Sequence, residues 1–208
     1  MRGFHDEVIM IPDFSPVERG ELLLIEWAQR EGVTTAAQLR AITIAVLDEI
    51  AAILGAADDA AVTFIPDDPL ADDPFAPEEE RYQGWSLAHL VMHTTASAEE
   101  WAAVASILAR GIVYTPEPRL RYETDWHTVT TRAQVDARLA ESRRMRLGYL
   151  DAFPDQPNLT TTRELSPRFI ERYGQMNAIA AYLFGLRHEI GHLAQMRDAA
   201  AQAQAATR

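Results

Sequence analysis

Apolar residues return at alternating three- and four-residue steps in four long segments of this chain. A sequence that repeats that pattern four times must bury four helical faces against one another. The first segment runs from about Thr35 to Leu54, with Leu39, Ile42, Val46, Ile50 and Ile53 in step. Thr35 followed by Gln38 has the spacing of a capping box, and Gly55 supplies the stop. The second runs from about Ser86 to Arg110, before Gly111, and carries Leu87, Leu90, Val91, Thr94, Ala98, Trp101, Ala105 and Leu108. The third opens on Thr131 and Gln134, again with capping-box spacing, continues through Val135, Leu139, Met145, Tyr149 and Leu150, and is closed by Pro154. The fourth runs from about Gln175 into an Ala/Gln tail whose end is expected to fray. Helices of 20 to 30 residues span roughly 30–45 Å, which suits a bundle better than the short helices of α/β units.

The expected fold is therefore all-α: a four-helix bundle over residues 34–208 with an N-terminal extension over 1–33 and long loops. Residues 17 to 31 read as an extra short helix packing on the bundle. The loop over residues 57–84 holds Pro66, Pro69, Pro74 and Pro77 among Asp67, Asp68, Asp72 and Asp73. Its near-repeat DDPLADDPF lacks the acid order, glycine and terminal glutamate of an EF-hand, so it reads as a solvated acidic loop. Strand signal is scarce, with Ile112–Tyr114 the short extended candidate.

Composition removes several functions. With 208 residues the chain suits one sizeable domain, which buries roughly 70% of its unfolded surface without covalent staples. It has no cysteine, which excludes disulfides, thiolate metal sites and a cysteine nucleophile. A net charge of −12 argues against a nucleic-acid partner, which needs a basic face. No apolar run approaches the ~20 residues of a membrane span, and the start MRGFHDEVIMIPDF has no signal-peptide layout. The expected setting is the cytoplasm.

Among six histidines, His188 and His192 form the sharp pair. At i and i+4 they stand one turn apart on one helix face, where two imidazoles can share a metal ion. Their row, shared with Ala181, Gly185 and Gln195, lies nearly opposite the stripe of Met176, Ile179, Leu183, Ile190 and Ala194. The small residues preceding the pair suggest room for a pocket. On the second helix His93 falls about 95° from the centre of the apolar stripe, at the edge of the core. His89, one turn earlier, turns farther toward solvent, so His93 is the better third ligand. His188-Glu189-Ile190-Gly191-His192 also spells H-E-x-x-H, the zinc-protease motif with a glutamate base. No histidine or glutamate follows His192 to complete that site, and the scarcity of strands leaves no sheet edge for a substrate.

At this point the chain resembles the DinB-like metalloprotein superfamily, through GWSLAHLVMHTTASAEEWAAVASILARG (84–111) and YGQMNAIAAYLFGLRHEIGHLAQM (173–196). The family pattern places a histidine eight residues after a Trp-Ser helix start, here Trp85, Ser86 and His93. It then has H-x-x-x-H-x-x-Q on the last helix, here His188, His192 and Gln195. The resemblance covers most of residues 35 to 200, apart from the acidic loop. It implies an up-down-down-up bundle, often a homodimer, with three histidines on one divalent metal, zinc or nickel. It also implies, for some relatives, transferase or isomerase activity with a low-molecular-weight thiol.

Three functions follow as alternatives. The first is a metal-dependent transferase acting on a small-molecule substrate with a small thiol cofactor. The second is a metal-dependent hydrolase with Glu189 or Glu100 as base, and the third a metal-stabilised interaction protein. Gln195 can orient a ligand or cap the pocket. His127, beside Trp126, reads as a packed loop residue within reach of a pocket rim, Trp101 as core, and Arg143, Arg144 and Arg146 as a solvated helix face.

Overall fold

The computed structural model describes residues 11–115 and 119–206, and its regular elements are all helices, with no strand among those residues. Residues 1–10 of the extension, with His5 and the leading peptide, lie outside the described residues. The extension's expected single helix is two pieces, α1 (Ser15–Glu18) and α2 (Leu24–Arg30), because the chain turns at Gly20 with φ of +72°. In α2, Leu24, Trp27 and Ala28 are buried, and the Trp27 indole donates to the Asp13 carbonyl at 2.9 Å. These side chains join the same core as the bundle.

The bundle consists of α3 (Ala36–Leu54), a five-residue α4 (Asp59–Thr63) inside the acidic loop, α5 (Leu87–Ala109), α6 (Arg132–Asp151), a short α7 (Pro167–Tyr173), α8 (Ala178–Gly191) and α9 (Leu193–Ala206). Both capping boxes form. Thr35 accepts from the Gln38 amide while Gln38 accepts from Thr35, and Thr131 and Gln134 do the same. Such a cap contributes about 1 kcal/mol, and it fixes where each helix begins. Arg132 closes the far end of α3, donating to the carbonyls of Leu54, Gly55 and Ala57. The tail stays helical to Ala206.

Helix α5 is the central element, buried along nearly its whole length and packed most extensively against α8 and α6. Gly185 is one reason. A Cβ added there would stand 3.0 Å from the Trp101 Cβ and 3.1 Å from the Ala98 Cα, so a larger residue would have to push α8 and α5 apart by a few tenths of an ångström. That corrects the sequence reading of Ala181 and Gly185 as pocket space: both are buried. The aromatic residues of α7, Phe169 and Tyr173, pack on Phe184, which lies against Trp101.

Two further expectations change. The fourth helix is not continuous. At His192 the amide bonds to the Glu189 carbonyl, three residues back, in place of the α-helical partner four back, and α9 starts afresh. Arg146 does not belong to a solvated face. It is 1% exposed and forks onto Glu189, itself 0% exposed, at 2.7 and 3.3 Å. Arg143 and Arg144 do pair at the surface, with Asp48 and Glu141.

Candidate metal centre

Ser86 caps α5 by accepting from the His89 amide at 3.1 Å, which sets the phase of the helix and places His93 toward α8. The tight α5–α8 approach then carries His93 against His188, and one turn on, His192 closes the group. The ligand atoms of these three histidines lie within 4.8 Å of one another. The Nε2 atoms of His93 and His188 are 3.3 Å apart. Two nitrogens each held at ~2.0–2.1 Å by a tetrahedral ion stand about 3.3 Å from each other, so the spacing fits one shared ion.

The His192 tautomer fits as well. Gln195 accepts from His192 Nδ1 at 2.9 Å, and its amide is oriented because its nitrogen donates to Asp68 Oδ2 at 3.2 Å. An amide oxygen can only accept, so the His192 proton sits on Nδ1 and the Nε2 lone pair is left for a metal. His93 Nδ1 stands 3.2 Å from both Glu123 Oε1 and Arg121 Nη2, so the two neighbours hold the ring in place while favouring opposite protonation of that nitrogen. Arg121 holds Glu123 in place and donates to the His93 carbonyl at 3.3 Å. His188 differs: its Nδ1 is buried with no hydrogen-bond partner among the described residues.

Burial disfavours the charged form of His188 and His192. It pushes His188 down to about 3, reinforced by the neighbouring His192 and His93, and it lowers His192 against the opposing bond from Gln195. Neutral imidazole is the form that ligates. Burial pushes the Glu123 carboxyl up, but the bonds from His93 and Arg121 outweigh it and hold it at about 2. Glu123 is therefore an orienting anion and not a proton acceptor.

One wall of the site is a column of stacked rings. Trp126 lies on His89 at 4.7 Å between centroids, His89 on Trp85 at 4.2 Å, and Trp85 on His192 at 5.7 Å. His89 is thus not turned to solvent as its helical angle suggested. It is sandwiched between two indoles, and burial pushes it down to about 4. His127 stacks on Trp126 and pairs with Glu80 and Asp125 at the pocket rim; the bond to Glu80, then that to Asp125, raises it.

In front of the histidines opens a pocket of about 810 Å³, reached by His93, His188 and His89 and walled in part by Asp73 and Phe75 of the acidic loop. The loop is thus not simply solvated. Besides Asp68 on Gln195, Asp67 exchanges two 2.9 Å backbone bonds with Gln202 of α9. Both carboxylates considered as bases are engaged: Glu189 by Arg146, and Glu100 by Arg119 through two bonds of 2.9 Å. The sequence reading missed Asp68, Arg121 and Glu123, whose types carry no ligand spacing of their own.

A sequence model described as the DinB superfamily matches residues 27–196. No curated protein and no solved structure matches the chain.

Proposed function

We propose that this chain, which belongs to the DinB superfamily, binds one divalent metal, zinc or nickel, through His93, His188 and His192 and acts as a metal-dependent transferase with a small thiol cofactor. The observation that carries the reading is the convergence of three imidazoles, the His192 tautomer fixed from behind by Gln195, with His93 and His188 opening onto a pocket. A divalent metal held by three imidazoles keeps a position open and favours the thiolate form of a bound thiol. The chain has no cysteine, so a thiol must come from outside.

The protein's own residues contribute the rest. Glu123 and Gln195 hold the rings of His93 and His192 at fixed angles, Trp85 and Trp126 shield one side from water, and the acidic loop forms part of the pocket wall. The hydrolase alternative loses its two nominated bases to arginine partners. The protease reading fails at the same point, since the glutamate of its motif is buried against Arg146.

The test is metal content by elemental mass spectrometry on untagged protein, beside His93→Ala and His188→Ala. Near-stoichiometric zinc or nickel, absent from both variants while helical circular dichroism persists, supports the site. A thiol titration of the loaded protein then decides the transferase reading. No metal after reconstitution with zinc, nickel, manganese or iron at pH 7.5 overturns it, and thiol-independent turnover of esters or amides would move the assignment to a hydrolase.

A further inference from the structure

Behind Arg119, which lines the same pocket, lies a polar group that the metal reading leaves unused. Glu100 on α5 has a side chain 1% exposed, and two arginines address it. Arg119 takes both carboxylate oxygens, through Nε and Nη2 at 2.9 Å each, while Arg163 lies 4.0 Å away with its guanidinium 4.4 Å over the Trp101 ring. One arginine would neutralise one carboxylate. The second leaves a positive charge over.

That surplus faces the pocket. The Arg119 side chain is 63% exposed although its fork is pinned, and it lines the cavity with His93 and His188. A guanidinium offers five N–H donors; Glu100 uses two, and Nη1 has no hydrogen bond among the described residues. The end of the fork is left free in a fixed orientation, which is the geometry for a two-point bond to a planar or tetrahedral oxyanion. The bond to Glu100, the largest influence on it, raises Arg119 further, so it carries its charge at any working pH.

Other charged groups at the pocket are already matched. Arg121 is bound to Glu123, Asp72 to Arg81, and His127 to both Glu80 and Asp125. Asp73 turns a carboxylate oxygen back onto the Phe75 amide. Of the two lining arginines, Arg119 is 63% exposed and Arg121 only 14%, so Arg119 is the one whose remaining donors a ligand can reach.

We infer that Arg119 binds the anionic group, a carboxylate or a phosphate, of the small molecule this pocket receives, with Glu100 as the residue that positions it. The inference rests on the metal-centre reading for the ligand's second point of attachment, but not for this contact. A ligand that spans the pocket would have a metal-seeking group at one end and an oxyanion at the other.

The experiment is calorimetric titration of wild type and Arg119→Gln, each zinc-loaded and metal-free, with glutarate, its neutral diamide and inorganic phosphate. Charge-assisted hydrogen bonds of this kind are worth about tenfold or more in affinity. Glutarate is expected to bind wild type at least about tenfold more tightly than the diamide, and Arg119→Gln to erase that preference. Phosphate binding lost in the same variant assigns the subsite to both oxyanions; phosphate ignored by wild type restricts it to carboxylates. A preference that survives in Arg119→Gln, or that wild type lacks in both forms, overturns the inference. Preference retained in metal-free protein that takes up no zinc would sink the metal reading and leave this one standing. Should Arg119→Gln lose its helical signal, the double variant Glu100→Gln with Arg119→Gln removes the stranded buried charge and makes the same measurement.

Discussion

His188 and Glu189 are neighbours on α8, yet they belong to polar sites of opposite kind. Glu189 is fully buried and meets Arg146 across the bundle with both oxygens, so that little of its bonding capacity is left over. His188 stands at the pocket with Nε2 aimed at another Nε2 and Nδ1 unmatched. The Arg146–Glu189 ion pair uses both ends of the guanidinium fork, although Arg146 Nε has no partner among the described residues, and it fixes which helix faces which. An uncompleted polar site keeps capacity for something the chain does not itself supply. The adjacency has a cost on each side: burying the ion pair carries a large desolvation penalty, and an orphan imidazole N–H about 1–3 kcal/mol.

The sharpest way to break the contrast is Glu189→Ala, which strands a buried guanidinium. A loss of about 3–5 kcal/mol in denaturant unfolding is expected, with much of it recovered in Arg146→Met combined with Glu189→Leu. If the single variant were nearly neutral, the pair would not be the closed site described here. On the open side, His188→Ala should leave the metal-free fold within about 1 kcal/mol of wild type while abolishing stoichiometric metal. Gln195→Ala, which spares the three ligands but removes the bonds to His192 and Asp68, should weaken metal affinity by roughly 10–100-fold in a competition titration. Equal effects of the two substitutions would erase the distinction between holding an ion and orienting its holder.

The smallest effect concerns protons. Burial pushes His89 to about 4, against an ordinary value of 6.5. The unfolded chain therefore binds this proton first, and metal-free stability falls as pH drops from 6.5 toward 4. His89→Phe keeps the stacked column and removes that titration. It should reduce the slope of stability against pH in this window by up to about 1.4 kcal/mol per unit, measured by urea unfolding. An unchanged slope would place the acid sensitivity elsewhere.

Legibility from sequence followed locality. Capping boxes at Thr35 and Thr131 and the i, i+4 histidine pair are encoded within four residues, and all appear where the spacing put them. His93 needed only an angle on one helix. What escaped were meetings between distant segments. Arg146 finds Glu189 43 positions away, and His89 finds Trp126 only after the chain has crossed from α5 to the 3₁₀ turn of Trp126–Thr128. A charged or aromatic residue announces no partner at such range, so Arg146 looked solvated and His89 looked exposed. The break at His192 was hidden for another reason: a single tightened turn leaves the apolar period almost intact.

The ring column also gives the molecule an optical property. Trp85 lies 4.8 Å from His93 and 5.7 Å from His192 between centroids, in contact with two of the three rings that would surround an ion. An indole that close to an open-shell cation such as nickel loses its excited state by energy or electron transfer, whereas filled-shell zinc leaves that channel shut. An ion held by the three histidines would therefore dim or spare the emission of Trp85 according to its electronic configuration.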